Sequence, residues 1–203
     1  MFMTIMAGFS AFVSIAAVTL PPAHACACCS NRGQRIDLVQ DIDDRIDAQL
    51  EMLRFGSEAR LAMGERYEHV LSGINDPVAD FTISVVRDSN RIAFSLRDAK
   101  GRAGTLSMVN PQRITIFEVD PYDTPDTGLG PVLYKEWRIT TPVDGDGIFR
   151  DNAGRDWRIT LILHGRGLSC TDVHHFSHWS LEARGTGTEH YTFHGEFLSG
   201  AQP

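Results

Sequence analysis

The stretch Ser169-Cys170-Thr171-Asp172-Val173-His174-His175-Phe176-Ser177-His178 gathers more metal-ligating side chains than any other part of this chain. Six of the eight histidines fall between residues 164 and 194. Imidazole and thiolate both coordinate Zn and Cu, so a transition-metal centre is the first chemistry that this composition offers.

Spacing decides which of these groups can converge. If Thr171 or Asp172 caps a helical turn, His174 and His178 share one face at i, i+4. From His178 onward the pattern alternates, with Trp179 and Leu181 on the apolar face and His178, Ser180 and Glu182 on the other. HYTFHGEF (190–197) likewise turns Tyr191, Phe193 and Phe197 inward and His190, Thr192, His194 and Glu196 outward. A hairpin loop at RGTGT, centred on Thr186, then sets Trp179 opposite Phe193 and Leu181 opposite Tyr191. On the outer face it sets His178 opposite His194 and Glu182 opposite His190. Directly opposed side chains have Cβ atoms about 5 Å apart, close enough for two imidazoles to share an ion. The expected metal set is therefore His178 and His194, completed by His174, with Glu196 as a further ligand and Cys170 approaching from the loop. His190 and His194, about 13 Å apart along one strand, cannot share a metal. A register slip of two residues would separate His178 from His194 while keeping the inner face apolar.

A second concentration of chemistry lies in AHACACCS (23–30), where Cys26, Cys28 and Cys29 follow a long apolar run. Residues 2–20 carry no charged side chain, Pro21-Pro22 ends the run, and Ala23-His24-Ala25 supplies a small-x-small cleavage pattern. Residues 1–25 are expected to be a signal peptide, leaving a periplasmic or secreted chain that begins at Cys26. Cleavage after Ala27, lipid anchoring through Cys26, and retention of the N-terminal helix as an anchor are the alternatives. Neighbouring Cys28 and Cys29 would form a strained bridge with each other, so one of them is expected to join Cys170. The competing role for the same thiols is soft-metal ligation.

Other chemistries lack their residues. The chain has no H-E-x-x-H motif, Gly-x-Ser-x-Gly elbow or phosphate-binding glycine loop. Asp144-Gly-Asp146-Gly opens like a calcium loop, but Ile148 and Arg155 occupy positions where ligands are required, so it reads as a turn. Asp120, Asp123 and Asp126 sit in an ordinary Pro-Asp-Thr turn context.

These groups need elements to hold them. Residues 36–54 place Leu38, Ile42, Ile46, Leu50 and Leu53 at helical spacing, which predicts an amphipathic helix with an acidic outer face. Residues 58–63 suit either a short strand or a helical turn. From residue 78 the period becomes two: FTISVVRD (81–88) and RIAFSLRD (91–98) predict a hairpin about Ser89-Asn90, and further alternating runs follow. EWRITTPVDGDG (136–147) and DWRITLILHGRG (156–167) echo one another, and HWSLEARGTG (178–187) echoes both. They predict Trp137, Ile139, Trp157, Ile159, Trp179 and Leu181 inside, with Arg138 and Arg158 outside.

The expected fold is mainly β, an antiparallel sandwich or small barrel of about eight strands behind an N-terminal amphipathic helix. The expected organisation is a signal peptide (1–25), a cysteine-rich and helical segment (26–77) and a β domain (78–203). A formal charge of −7 argues against nucleic acid and against docking on anionic membranes. No transmembrane span is expected after signal cleavage. The function expected from these features is non-catalytic binding of a small molecule or protein outside the cytoplasm, with a transition-metal site. The alternatives are Zn or Cu handling by the cysteine cluster with His174, His178 and His194, and a metal-dependent hydrolase or oxidase. An apolar pocket away from the histidines would favour the first.

Overall fold

The structure is a computed structural model that describes residues 35–64, 71–121, 132–152, 156–167, 172–185 and 190–198. The alternating segments become strands: β1 (Arg35–Asp41), β2 (Glu58–Met63), β3 (Val78–Arg87), β4 (Arg91–Asp98), β5 (Ala103–Val109), β6 (Arg113–Val119), β7 (Leu133–Gly145), β8 (Arg158–Gly167), β9 (Phe176–Arg184) and β10 (His190–Glu196). The predicted β3–β4 hairpin forms with Arg87 opposite Ile92. Asp88 fixes its turn by accepting the N–H groups of Asn90 and Arg91 at 2.7 and 2.8 Å. Those two bonds hold its carboxyl below the ordinary carboxylate range.

Eight of the strands close an antiparallel barrel in the order β7-β5-β4-β3-β2-β10-β9-β8, and β8 returns to β7. Closure removes the edges that an open sheet would expose. β2, which precedes residue 78, is one of these barrel strands, between β3 and β10. β7 is long enough to serve two neighbours on one side: Val143–Gly145 pair with β5, and Tyr134–Arg138 pair with β6. Beyond that fork β6 and then β1 leave the barrel wall as a two-stranded extension.

Inward residues fill the barrel. Trp137, Ile139, Ile159, Trp179 and Leu181 are buried as the echo predicted, and Trp157 packs against them partly buried. At one end the 3-10 turn Gly147–Asn152 inserts Phe149 against Tyr191 and Phe193, with ring centroids 5.9 and 6.0 Å away. Gly147 has φ +57° and lies against the Ala103 carbonyl, where a side chain would have no room. Asp146 accepts the Thr105 N–H at 2.7 Å and Asp144 pairs with Arg91 at 2.6 Å. The Asp-Gly-Asp-Gly sequence therefore serves as a plug-bearing turn.

The opposite end carries α1 (Asp44–Glu51), capped by Asp43, whose carboxylate accepts the Ile46 N–H at 2.8 Å. Ile46 and Leu50 face the core, Asp47 pairs with Arg87 of β3, and Gln49 accepts the Val173 N–H at 3.0 Å. Helical spacing over 36–54 predicted one longer helix, but residues 35–41 are strand. Ile36, Leu38 and Gln40 also satisfy a period of two, and β6 offers them an edge; the helix starts only at the Asp43 cap. Among the described residues no helix is long and apolar enough to cross a membrane.

Candidate functional site

His164, His178, His190 and His194 lie on the outer wall of β8, β9 and β10, and β9 and β10 pair in a register two residues from the expected one. His178 stands opposite Glu196, His194 opposite Ser180, and His190 opposite Arg184 rather than Glu182. Inside, Leu181 meets Phe193 and Ala183 meets Tyr191, while Trp179 lies over Gly195. The slip keeps every apolar residue inward, as a shift of two must. The Trp179 indole also gains the one position with no side chain in its path, and its N–H donates to the Glu196 carbonyl at 3.2 Å.

His178 and His194 therefore do not face one another, and the i, i+4 helical relation between His174 and His178 does not form. Asp172 does cap a turn, accepting the His174 N–H at 2.9 Å, but that turn spans only Val173–His175 and β9 begins at Phe176. His174 is exposed. Glu196 lies 3.8 Å from His178 in an exposed pair. Among the described residues no group of three or more His, Cys, Asp or Glu is placed to hold a metal ion. Cys26, Cys28, Cys29 and Cys170 lie outside the described residues, as do Asp123 and Asp126.

His164, which the sequence reading left aside, occupies the centre of the wall. Glu136, His164, His178 and Glu196 form one row across β7 to β10, and Arg138, Ile162, Ser180 and His194 form the next. With His164 neutral, one proton order satisfies these hydrogen bonds. Tyr134 donates its hydroxyl to Glu136 at 2.6 Å, so its oxygen accepts from His164 Nδ1 at 3.1 Å. Neutral His164 then offers only a lone pair at Nε2, which accepts from Ser180 Oγ at 2.9 Å, and Ser180 accepts from His194 Nδ1 at 3.0 Å. The result is a one-way chain from His194 through Ser180, His164 and Tyr134 to Glu136, where Arg138 also binds.

Electrostatics agree with that order. Burial lowers the His164 pKa, as do His194, His178 and Arg138, against the opposing pull of Glu136. Burial alone would raise Glu136, but the bonds from Tyr134 and Arg138 bring it below its ordinary value. Burial together with the Glu136 carboxylate pushes Tyr134 up to about 12. A serine donating to an imidazole resembles a nucleophile and its base. Ser180, however, is buried and flanked by paired strands on both sides, which commit the surrounding main-chain N–H groups to the sheet. Those main-chain N–H groups are not free to form an oxyanion hole. The chain serves to lock four strands.

The second concentration of features is a cavity of about 1290 Å³ at the α1 end of the barrel. Ile83, Ile92, Ile139 and Leu161 form its inner surface, and Leu50 of α1 and Phe55 form a wall. Phe55 is held by edge contacts to Phe94, Trp179 and Phe197 at 5.9, 5.6 and 5.0 Å. Asp47, Arg87, Asp88 and Asn110 line its polar part. None of the histidines lines this cavity, which opens at the surface beside α1.

A third feature is the buried pair Glu118 and Lys135, 4.0 Å apart on neighbouring strands β6 and β7. Burial raises the Glu118 pKa, and the Lys135 charge pulls it back.

This geometry defines an eight-stranded antiparallel barrel with a side-chain-filled interior, plugged at one end by the 3-10 turn and bearing an open cleft beside α1 at the other. Comparison with known protein families, with curated proteins and with solved structures finds no match to this chain.

Proposed function

We propose that this protein is a non-catalytic binding barrel for a small, largely apolar molecule, held in the cavity beneath α1. The cavity carries the reading: its floor is formed by inward residues of barrel strands, and polar groups of α1, β3 and the β3–β4 turn line its rim. Eight-stranded barrels have an interior suited to side chains or to one small ligand. Here side chains fill the barrel interior, and the ligand lies above that filled interior in the cleft at the α1 end. Ligand pockets commonly have apolar linings with a few polar groups that fix orientation.

The reading includes export, with residues 1–25 as the leader and a chain that works in the periplasm or outside the cell. A Zn or Cu role falls better to Cys26, Cys28 and Cys29 than to the wall, because His164, His178 and His194 already spend nitrogen atoms on Ser180, Tyr134, Ser177 and Glu196.

The test is titration of the purified protein with the neutral dye N-phenyl-1-naphthylamine. Saturable one-to-one fluorescence enhancement is expected, and Ile92→Trp, which fills the cavity, should weaken it about tenfold, or ~1.4 kcal/mol. A wild-type protein that leaves the dye dark, or a folded Ile92→Trp variant that binds equally well, would sink this function.

A further inference from the structure

Closure hides the edges of eight strands, yet β1 remains outside the barrel with a strand neighbour, β6, on one side. Among the described residues its other side has no strand partner. Such an edge presents a row of main-chain donors and acceptors, and proteins commonly guard it with Pro, Lys or a bulge. RIDLVQD contains neither Pro nor Lys and its pairing with β6 is regular through all seven residues, so its only guards are the charges of Arg35, Asp37 and Asp41. Leu38 and Val39 are 42% and 52% exposed on this strand.

We propose that β1 pairs antiparallel with β1 of a second copy of this chain, joining two barrels through a continuous sheet. A two-fold axis normal to the sheet keeps Ile36, Leu38 and Gln40 on the same face in both copies, so facing residues must share parity. Centring the axis on Leu38 pairs all seven residues. Arg35 then faces Asp41 of the second copy at both ends, Ile36 faces Gln40, Asp37 faces Val39, and the two Leu38 side chains meet. Centring on Asp37 would oppose two carboxylates, and centring on Val39 would oppose Asp37 to Asp41. The Leu38 register alone among these three opposes no like charges, and it extends the apolar row that Leu38 shares with Ile116 of β6. Charge and apolar complementarity thus select the same self-pairing.

The ion pairs that these charges make within one copy leave them available. Arg35 and Asp37 are 3.8 Å apart and Asp41 and Arg113 3.5 Å apart, and all four side chains are about half exposed or more.

Sedimentation equilibrium on the full mature chain tests the pairing. Wild type should reach twice the monomer mass. Arg35→Asp and Asp41→Arg each create two like-charge contacts per dimer and should raise its dissociation constant at least about tenfold, or ~1.4 kcal/mol. The double variant R35D/D41R restores opposite charges and should recover the dimer. Far-UV circular dichroism and a urea midpoint confirm that the variants remain folded. A wild type that stays monomeric overturns the proposal, as it would if other residues cover this edge or a different protein occupies it. A dimer indifferent to either single reversal overturns it too, placing the contact elsewhere.

Discussion

His164 Nε2 lies 2.9 Å from Ser180 Oγ, and it receives the serine proton because its other nitrogen is committed to Tyr134. Protonating His164 would set an N–H against that donor and reverse the order of the chain at its centre. Burial, reinforced by His194, His178 and Arg138, already holds its pKa below 6.5. An unfolded histidine titrates near 6.5, so between that value and the lower folded one the unfolded chain takes a proton that the fold refuses. The His164 contribution to stability is therefore complete above pH 6.5 and falls as the pH drops through that window. Urea midpoints measured from pH 7.5 down to 5 should decline more steeply for wild type than for His164→Gln. Parallel profiles would show that His164 is not held neutral by the wall.

Asp43 ties stability to the cleft at the α1 end. Its carboxylate caps α1 by accepting the Ile46 N–H, and α1 supplies Leu50 to the cavity wall. Asp43→Ala should lower unfolding stability by about 1 kcal/mol and weaken dye binding in the same direction. Loss of stability with unchanged dye affinity would mean that α1 does not shape the bound site.

Gly195 is required by Trp179. A methyl group at 195 would overlap the indole, which is fully buried and bonded through its N–H to the Glu196 carbonyl. Gly195→Ala should cost about 1–3 kcal/mol as overpacking, read from the urea midpoint together with a change in tryptophan fluorescence. A neutral substitution would contradict the register assigned to β9 and β10.

The bridge expected between Cys170 and either Cys28 or Cys29 is tested by non-reducing peptide mapping of the purified protein. Arg35 begins β1 beside Val119, and Gly167 ends β8 beside Leu133, so the chain enters and leaves the described structure at the same end of neighbouring strands β1, β6, β7 and β8. A cross-linked peptide containing Cys170 is the expected result. Free thiols at Cys28, Cys29 and Cys170 would favour their use as Zn or Cu ligands instead.

Alternation by itself determined which residues of β3 to β10 face inward. Trp137, Ile139, Ile159, Trp179, Leu181, Tyr191 and Phe193 could be read from a period of two, because burial rewards one face of a pleated strand and penalises the other. The β3–β4 turn was equally legible, since Asp88, Ser89 and Asn90 carry local turn chemistry. Register was not. Sliding β10 by two residues against β9 leaves the inner face unchanged, so the sequence pattern could not separate His178 opposite His194 from His178 opposite Glu196. The choice rests on the third dimension of the Trp179 ring and on the bare backbone of Gly195. The split of 36–54 into β1 and α1 was also undecided locally, because Leu38 suits both periods until β6 supplies an edge. His164 joins the wall only through the pairing of β7 with β8 and of β8 with β9, and the cleft at the α1 end exists only once α1 packs on the closed barrel. Faces are local properties of a strand, whereas registers, closure and cavities depend on which distant side chains can occupy the same space.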